Sequence, residues 1–168
     1  VCNGAALYDF QAEAYLDTLE LPESIRSQGQ AVLDRFPSAA VEAYHLDNVI
    51  HAVRPNALTR QHQHVTHAGV EAVESLLEVP MPLVKVMFED ESQNLLPLWD
   101  HVRRQPWAAD YEIFFSDKTL LEVTRKGASK GAMVARLAER LGISREHIYC
   151  AGDENNDISM LTMAAQGF

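Results

Sequence analysis

Six consecutive residues near the end of the chain, 152–157, carry three carboxylates and two amides in the sequence Gly-Asp-Glu-Asn-Asn-Asp. A short apolar run at 147–151 precedes them and predicts a buried strand, and apolar residues at helical spacing over 158–165 predict a helix. Asp153 then lies at the tip of the strand. Asp157 follows one helical turn later, so both carboxylates can reach the same side of this junction.

Oxygen-bearing side chains at such a junction suit a hard cation and an anion together. Mg2+ prefers oxygen ligands and usually takes one or two protein carboxylates, with water and substrate phosphate filling the other positions. Backbone amides at the start of the helix favour an anion. The segment therefore predicts a site for Mg2+ and a phosphate group. The simpler alternative is that Asp153 or Asn155 only caps the helix, while the other acids are solvated.

A second segment, 126–131, places a lysine at the start of another helix. Its sequence is Lys-Gly-Ala-Ser-Lys-Gly, and an apolar stripe follows until Gly142 ends the helix. Ser129 is the predicted N-cap. Lys130 comes next, where the helix dipole disfavours a cation, so its ammonium needs either solvent or an anionic partner. Beside the acidic segment, Lys130 would supply a point charge that neutralises phosphate oxygens.

The two segments resemble the haloacid dehalogenase (HAD) superfamily, and within it the Cof-like branch of sugar-phosphate and metabolite phosphatases. The matching sequence is Leu-Glu-Val-Thr leading into Gly-Ala-Ser-Lys-Gly, then Leu-Ala-Glu-Arg-Leu-Gly-Ile, then the acidic segment followed by Ile-Ser-Met-Leu. The opening residues 2–9, Cys-Asn-Gly-Ala-Ala-Leu-Tyr-Asp, are similar to the Asn-Gly-Ala segment of the same branch. Order and spacing agree along the chain.

This resemblance implies a Rossmann-like core and a Mg2+-dependent phosphohydrolase that passes through an aspartyl-phosphate. Lys130 matches the lysine that holds the nucleophile and the transferring phosphoryl group. Asp153 matches the acid that binds magnesium, and Asn156 matches an amide that contacts phosphate. Asp157 matches a second acid that supports the metal shell through water or neighbouring hydrogen bonds. The two residues between Asp153 and Asn156 match variable positions and receive no catalytic role.

The chain departs from the family pattern at the nucleophile. It contains no Asp-x-Asp-Gly-Thr segment and no Thr-Gly-Arg, begins at Val1 and ends at Phe168. We therefore expect an internal fragment of a longer phosphatase that does not turn over by itself, because the attacking carboxylate is missing. A noncatalytic module that binds metal and phosphate is the alternative. A phosphomutase-like phosphoryl-transfer enzyme is a third possibility.

The predicted fold class is α/β, a partial HAD-like Rossmannoid core with an inserted open-sheet α/β cap of the C2 type. Residues 1–20 form a core segment and a linker hairpin, 21–119 the cap, and 120–168 the C-terminal part of the core. Helices are expected on one face of the cap sheet. By resemblance, the cap closes over the phosphate site, excludes water and contacts the leaving group of a small phosphorylated metabolite.

Individual elements follow from apolar periodicity and turn residues. Helices are predicted at 22–36 and 91–104, where Pro97 may disturb the early turns. Strands are predicted at 6–9, 15–20, 40–46, 49–53, 83–89, 111–116 and 119–124.

Three of the seven histidines cluster in the sequence Gln-His-Gln-His-Val-Thr-His at 61–67. His62 and His64 point to different faces of a helix, whereas His64 and His67 could share one. Imidazole suits transition metals, but the run itself contains no cysteine or carboxylate. We therefore expect a solvated helix here and not a structural zinc site.

Composition narrows the class of protein. The 168 residues carry a formal net charge of −10, which disfavours nonspecific binding to nucleic acid. No run approaches the roughly 18 apolar residues of a membrane span. Cys2 and Cys150 are far apart in sequence, and a reduced, cytoplasmic setting is the simplest interpretation.

Overall fold

The computed structural model describes residues 1–66 and 69–168, apart from the side chain of Val65. Its helices are α1 (Ile25–Arg35), α2 (Ala57–Thr66), α3 (Ser92–Val102), α4 (Lys130–Leu141) and α5 (Ile158–Met163). Its strands are β1 (Ala6–Asp9), β2 (Ala14–Thr18), β3 (Ala40–Tyr44), β4 (Val49–Val53), β5 (Gly69–Val73), β6 (Lys85–Glu89), β7 (Tyr111–Asp117), β8 (Leu120–Arg125), β9 (Tyr149–Cys150) and β10 (Gln166–Gly167). No helix in the described ranges is both long and apolar enough to cross a membrane.

Six strands form one mixed sheet in the order β5-β4-β3-β6-β8-β7. The predicted hairpins β3–β4 and β7–β8 are both antiparallel pairs of this sheet. Strand β5, which we did not predict, pairs parallel with β4, and α2 connects the two. The predicted boundary between cap and core at residue 120 remains a prediction. Strand β8 lies on the core side of this boundary, and it pairs with β6 and β7 of the sheet.

One face of the six-stranded sheet is apolar, because alternate residues of its strands point the same way. Helices α1 and α3 pack on this face, and α3 continues through Pro97. The buried cluster draws on Ile25, Val32 and Leu33 of α1, Leu95, Leu98 and Val102 of α3, and Val41, Val86, Phe88, Leu121 and Val123 of the sheet. Burial of these side chains supplies the main stabilisation of this part of the molecule.

The opposite face of the sheet is polar although it is largely covered. Glu42, Lys85, Glu89 and Glu122 are all buried on it. Helix α2 lies on this face, since its His62 contacts Glu42. The expectation that the helices lie on one face of the sheet is therefore wrong for α2. Its polar side chains His62 and Gln63 form hydrogen bonds with the buried carboxylate of Glu42.

The C-terminal segment follows the predicted helix pattern but not the predicted strand. The hydroxyl of Ser129 caps α4 by accepting from the Ala132 N–H, and Gly142 ends the helix in the left-handed conformation at φ 67°. The run 147–151 was expected to be a buried strand. Only Tyr149–Cys150 is a strand, and Tyr149 is 64% exposed, because among the described strands β9 pairs with β10 alone.

The N-terminal segment is held against the start of α4. Gly4 has φ 94°, and a Cβ atom there would lie 2.1 Å from the carbonyl oxygen of Ser129. Only glycine permits this close approach of the two backbones. The contact brings Asn3 next to the turn that carries Lys130.

Candidate phosphate and metal site

The two segments that sequence analysis singled out meet at Lys130. Its ammonium donates to Oδ1 of Asp157 at 2.5 Å and to Oδ1 of Asn156 at 3.2 Å. Asp157 is only 5% exposed, and the hydrogen bond from Lys130 holds the pKa of its carboxyl below the usual range. The lysine at the start of α4 therefore has the anionic partner that its position requires.

The second oxygen of Asp157 shapes the acidic segment. Oδ2 accepts from the backbone N–H of Asp153 at 3.3 Å and of Glu154 at 3.2 Å. A short 3-10 helix at Asn155–Asp157 then leads into α5, so helical structure begins inside the acidic segment, as predicted. With both oxygens engaged, Asp157 acts as a positioning residue for the loop that carries Asp153.

Asp153 is the carboxylate that remains available to a cation. Its side chain is exposed and makes no hydrogen bond or ion pair within the described part of the chain. An exposed carboxylate in the loop that Asp157 holds fits Mg2+, which completes its shell with water and phosphate. The residues present therefore fit the predicted ion, and the roles of Lys130, Asp153, Asn156 and Asp157 stay predictions.

A chain of polar contacts joins this site to the six-stranded sheet. Nδ2 of Asn156 donates to Oδ1 of Asn3 at 3.2 Å, and Nδ2 of Asn3 donates to Oε2 of Glu122 at 2.6 Å. Glu122 in turn pairs with Lys85 at 3.3 Å. Sequence analysis assigned no role to Asn3 or Glu122, although a carboxylate inside the apolar run of β8 was a usable signal.

A cleft of about 320 Å³ lies between the polar face of the sheet and the two turns. Asn3, Ser129 and Asn156 line it from the side of the turns, and Glu112 and Phe114 line it from β7. A small polar ligand bound in this cleft would therefore contact Asn156 and side chains of the sheet.

A family model for haloacid dehalogenase-like hydrolases matches residues 1–168. The chain belongs to this family. The family predicted from the sequence is therefore confirmed.

Two relatives of known name that cover most of this chain are phosphatases of greater length. Pyridoxal phosphate phosphatase YbhA of Escherichia coli is 26% identical over 175 residues, which covers 99% of this chain and 63% of YbhA. Phosphatase YwpJ of Bacillus subtilis is 30% identical over 149 residues, which covers 87% of this chain and 49% of YwpJ.

Solved structures of the family confirm the predicted α/β fold. A haloacid dehalogenase-like hydrolase from Bacteroides thetaiotaomicron superposes with a TM-score of 0.83 at 18% identity, covering 97% of this chain and 61% of that one. A sugar phosphatase of HAD subclass IIB gives a TM-score of 0.81 at 21% identity, covering 98% and 60%. This HAD-family chain thus spans less than two thirds of the length of each of these four proteins.

This HAD-family chain also holds a second polar cluster, which sequence analysis missed. His62 was expected on a solvated helix, and this is wrong: its Nδ1 lies 2.9 Å from Oε2 of Glu42 and 3.5 Å from Oε1 of Glu89. The carboxylates come from β3 and β6, remote from the histidine run in sequence. His64 is exposed, and His67 lies outside the described residues.

The two carboxylates of this cluster differ in their surroundings. Burial alone would raise the pKa of Glu42, but hydrogen bonds from His62 and Tyr44 outweigh it and the pKa is lowered. Burial, together with the charge of Glu42, raises the pKa of Glu89 to about 7. The hydrogen bond to Glu42 raises the pKa of His62.

Proposed function

We propose that this chain belongs to a Mg2+-dependent phosphatase that hydrolyses small phosphorylated metabolites, such as sugar phosphates, through an aspartyl-phosphate. The observation that carries the proposal is the contact of Lys130 with Asp157 and Asn156, which joins two segments 26 residues apart in one site. The phosphatase names of the relatives YbhA and YwpJ support the same reaction class.

Each residue of the site has a distinct task in this proposal. Lys130 binds phosphoryl oxygens and stabilises the charge that develops on them. The Nδ2 group of Asn156 has two N–H donors, of which Asn3 takes one and leaves the other for phosphate. Asp153 would hold Mg2+, which supplies further charge neutralisation when bound. Asp157 positions both Lys130 and the loop of Asp153.

The nucleophile is not among these 168 residues, since they contain no Asp-x-Asp-Gly-Thr segment. A lysine and a bound cation polarise a phosphate but do not attack it. We therefore propose that the chain alone does not hydrolyse phosphate esters. The same absence favours the second candidate, a noncatalytic module that binds a cation and phosphate.

The six-stranded sheet is the proposed cap. Its polar face lies over the cleft that Ser129 and Asn156 line, where it would exclude water and contact the leaving group. Glu112 and Phe114 of β7 are the side chains of the sheet that line this cleft. Cys2 and Cys150 are both free thiols, which fits the proposed reduced, cytoplasmic setting.

The test is Asp153→Asn in the natural protein whose reading frame encodes these residues. If that frame also encodes an Asp-x-Asp segment, we expect loss of Mg2+-dependent phosphatase activity with an unchanged fold, measured against a panel of phosphorylated metabolites. Glu139→Gln, at an exposed acid of α4, is the matched control and should keep full activity. Unchanged turnover in Asp153→Asn would refute the role of this acid, and a frame without the Asp-x-Asp segment would favour the binding module.

A further inference from the structure

Three potential metal ligands meet on the polar face of the sheet, away from Lys130. Glu42 comes from β3, Glu89 from β6 and His62 from α2. One ligand atom from each lies within 4.8 Å of the other two. Both glutamates are 0% exposed.

Glu89 is the residue of this cluster whose buried carboxylate lacks hydrogen bonds within the described part of the chain. Neither of its carboxylate oxygens has a hydrogen-bond partner among residues 1–66 and 69–168. Glu42, by contrast, accepts from Tyr44, His62 and Gln63. Buried polar atoms almost always have a hydrogen-bond partner, so a buried carboxylate that has none, beside two other potential ligands, indicates a missing group.

The charges around the cluster indicate that the missing group is positively charged. Glu42, Glu89 and Glu122 are buried on one face, and Lys85 is the buried lysine that opposes them in the described part of the sheet. In the state that binds a metal, His62 is neutral and all three glutamates are ionised, so two negative charges are left over. Burial of uncompensated charge is unfavourable, and a dication would balance these two.

We propose that Glu42, His62 and Glu89 form a binding site for a transition-metal dication of the zinc type. Imidazole together with carboxylates suits Zn2+, whereas Mg2+ prefers oxygen ligands alone. Zinc bonds of about 2.1 Å in tetrahedral geometry separate ligand atoms by about 3.4 Å. The distance of 3.5 Å from His62 to Glu89 already fits, and the distance of 2.9 Å to Glu42 has to open by about 0.5 Å.

Binding exchanges a proton for the metal. The His62 imidazolium releases its Nδ1 proton, which faces Glu42, to solvent; Nε2 keeps its proton and Nδ1 becomes a ligand. The side chain of His62 is 22% exposed, which gives the ion a path from solvent. Three protein ligands leave a fourth position open to water. The ion would also fasten α2 to β3 and β6, and so fix the helix that covers the polar face.

The test is a calorimetric titration of the metal-stripped chain with Zn2+ in excess Mg2+, which occupies any site at Asp153. We expect one Zn2+ per chain. Glu89→Gln and His62→Ala should each weaken binding at least about tenfold, since even indirect supports of a metal site are worth that much. Co2+ in place of Zn2+ should give the visible absorption of a tetrahedral site in the parent chain, and Glu89→Gln should abolish it.

Two control variants separate this site from other ligands. His64→Ala removes an exposed imidazole of the same helix, and Asp153→Asn removes the proposed Mg2+ ligand. Both should bind Zn2+ as the parent chain does. Absence of Zn2+ binding in the parent, or binding that persists in Glu89→Gln, would overturn the proposal, as would its loss in His64→Ala. None of these results depends on phosphatase activity.

Discussion

At the scale of single residues, the position of Lys130 decides the character of the site. A cation in the first turn of a helix is disfavoured by the helix dipole, and here a buried carboxylate compensates for it. Sequence analysis anticipated that the two segments meet, because both resemble one family, but it did not predict that Lys130 pairs with Asp157. The sequence also did not indicate that both carboxylate oxygens of Asp157 would accept hydrogen bonds from the protein itself.

We expect Lys130→Ala to destabilise the chain by roughly 1–3 kcal/mol at pH 7, because Asp157 is then left buried without its cation. The pKa of Asp157 is lowered in the folded state, so this contact stabilises above the unfolded pKa of about 4 and its contribution is lost as the pH falls. The difference from the parent should therefore shrink in acid. Urea unfolding at several pH values measures it.

Lys126→Ala is the matched control for this prediction. Lys126 pairs with Glu112 at 3.1 Å, but its side chain is 62% exposed, so its loss should change stability by less than about 1 kcal/mol. An equal effect of the two substitutions, or a Lys130→Ala effect independent of pH, would contradict the assigned role of the buried pair.

Glu89 should give a pH dependence of the opposite sign. Its folded pKa of about 7 exceeds the unfolded value of about 4.3, so stability falls as the pH rises between these values and stays low above them. In EDTA, Glu89→Gln should therefore be more stable than the parent at pH 8, by on the order of 1–3 kcal/mol, and should lose that advantage near pH 4. Thermal unfolding at the two pH values is the measurement.

Glu42→Gln is the natural comparison for Glu89→Gln. The pKa of Glu42 is lowered by its hydrogen bonds, so this substitution should destabilise at pH 8 and matter less in acid. If both variants shift stability in the same direction at pH 8, the different surroundings of the two carboxylates do not control their ionisation.

At the scale of elements, sequence patterns located the hairpins and the long helices, because each has apolar periodicity of its own. Strand β5 was missed because it lies at the edge of the sheet, where most of its residues are exposed and give no apolar run. The face of the sheet on which α2 lies could not be predicted either. That choice depends on Glu42 and Glu89, which come from strands distant in sequence and carry no pattern that links them to His62.

The contact between α4 and α5 depends on Gly131. A Cβ atom at this position would lie 2.2 Å from the carbonyl oxygen of Ser159. Gly131→Ala should therefore push the helices apart and destabilise the chain by about 1–3 kcal/mol. It should also disturb the site, since Lys130 is the first residue of α4 and Asp157 immediately precedes α5. Denaturant unfolding gives the stability, and nuclear magnetic resonance shifts of the Asn156 side-chain amide report on the site.

Gly69→Ala provides the control, since nothing among the described residues lies within 4 Å of a Cβ atom there and its φ is not in the left-handed region. It should leave stability unchanged or slightly increased. A Gly131→Ala variant that is as stable as Gly69→Ala would show that the close approach of α4 and α5 is not required.

At the scale of the whole molecule, the side chains are packed more closely in one part than in the other. The six-stranded sheet has a continuous apolar core against α1 and α3, and the interior residues of that core are almost fully buried. The C-terminal segment instead exposes Leu141, Tyr149 and Ile158, and its sheet consists of two strands of two residues each. An apolar depression of about 720 Å³ lies between α4 and α5. The predicted site therefore lies where the well-packed six-stranded sheet meets the sparsely packed C-terminal segment.

This difference predicts how the backbone amides exchange with solvent. Local opening requires little free energy where few apolar contacts are lost, so amides of β9, α5 and β10 should exchange orders of magnitude faster than those of β3, β6 and β8. Hydrogen exchange followed by mass spectrometry measures this on the intact chain. Saturating phosphate with Mg2+ should slow exchange at 152–157 in the parent but not in Asp153→Asn, because a ligand stabilises only the closed form that binds it. Equal protection of the sheet and the C-terminal segment would contradict the difference in packing between them. Equal slowing of exchange in the parent and in Asp153→Asn would place the ligand somewhere other than Asp153.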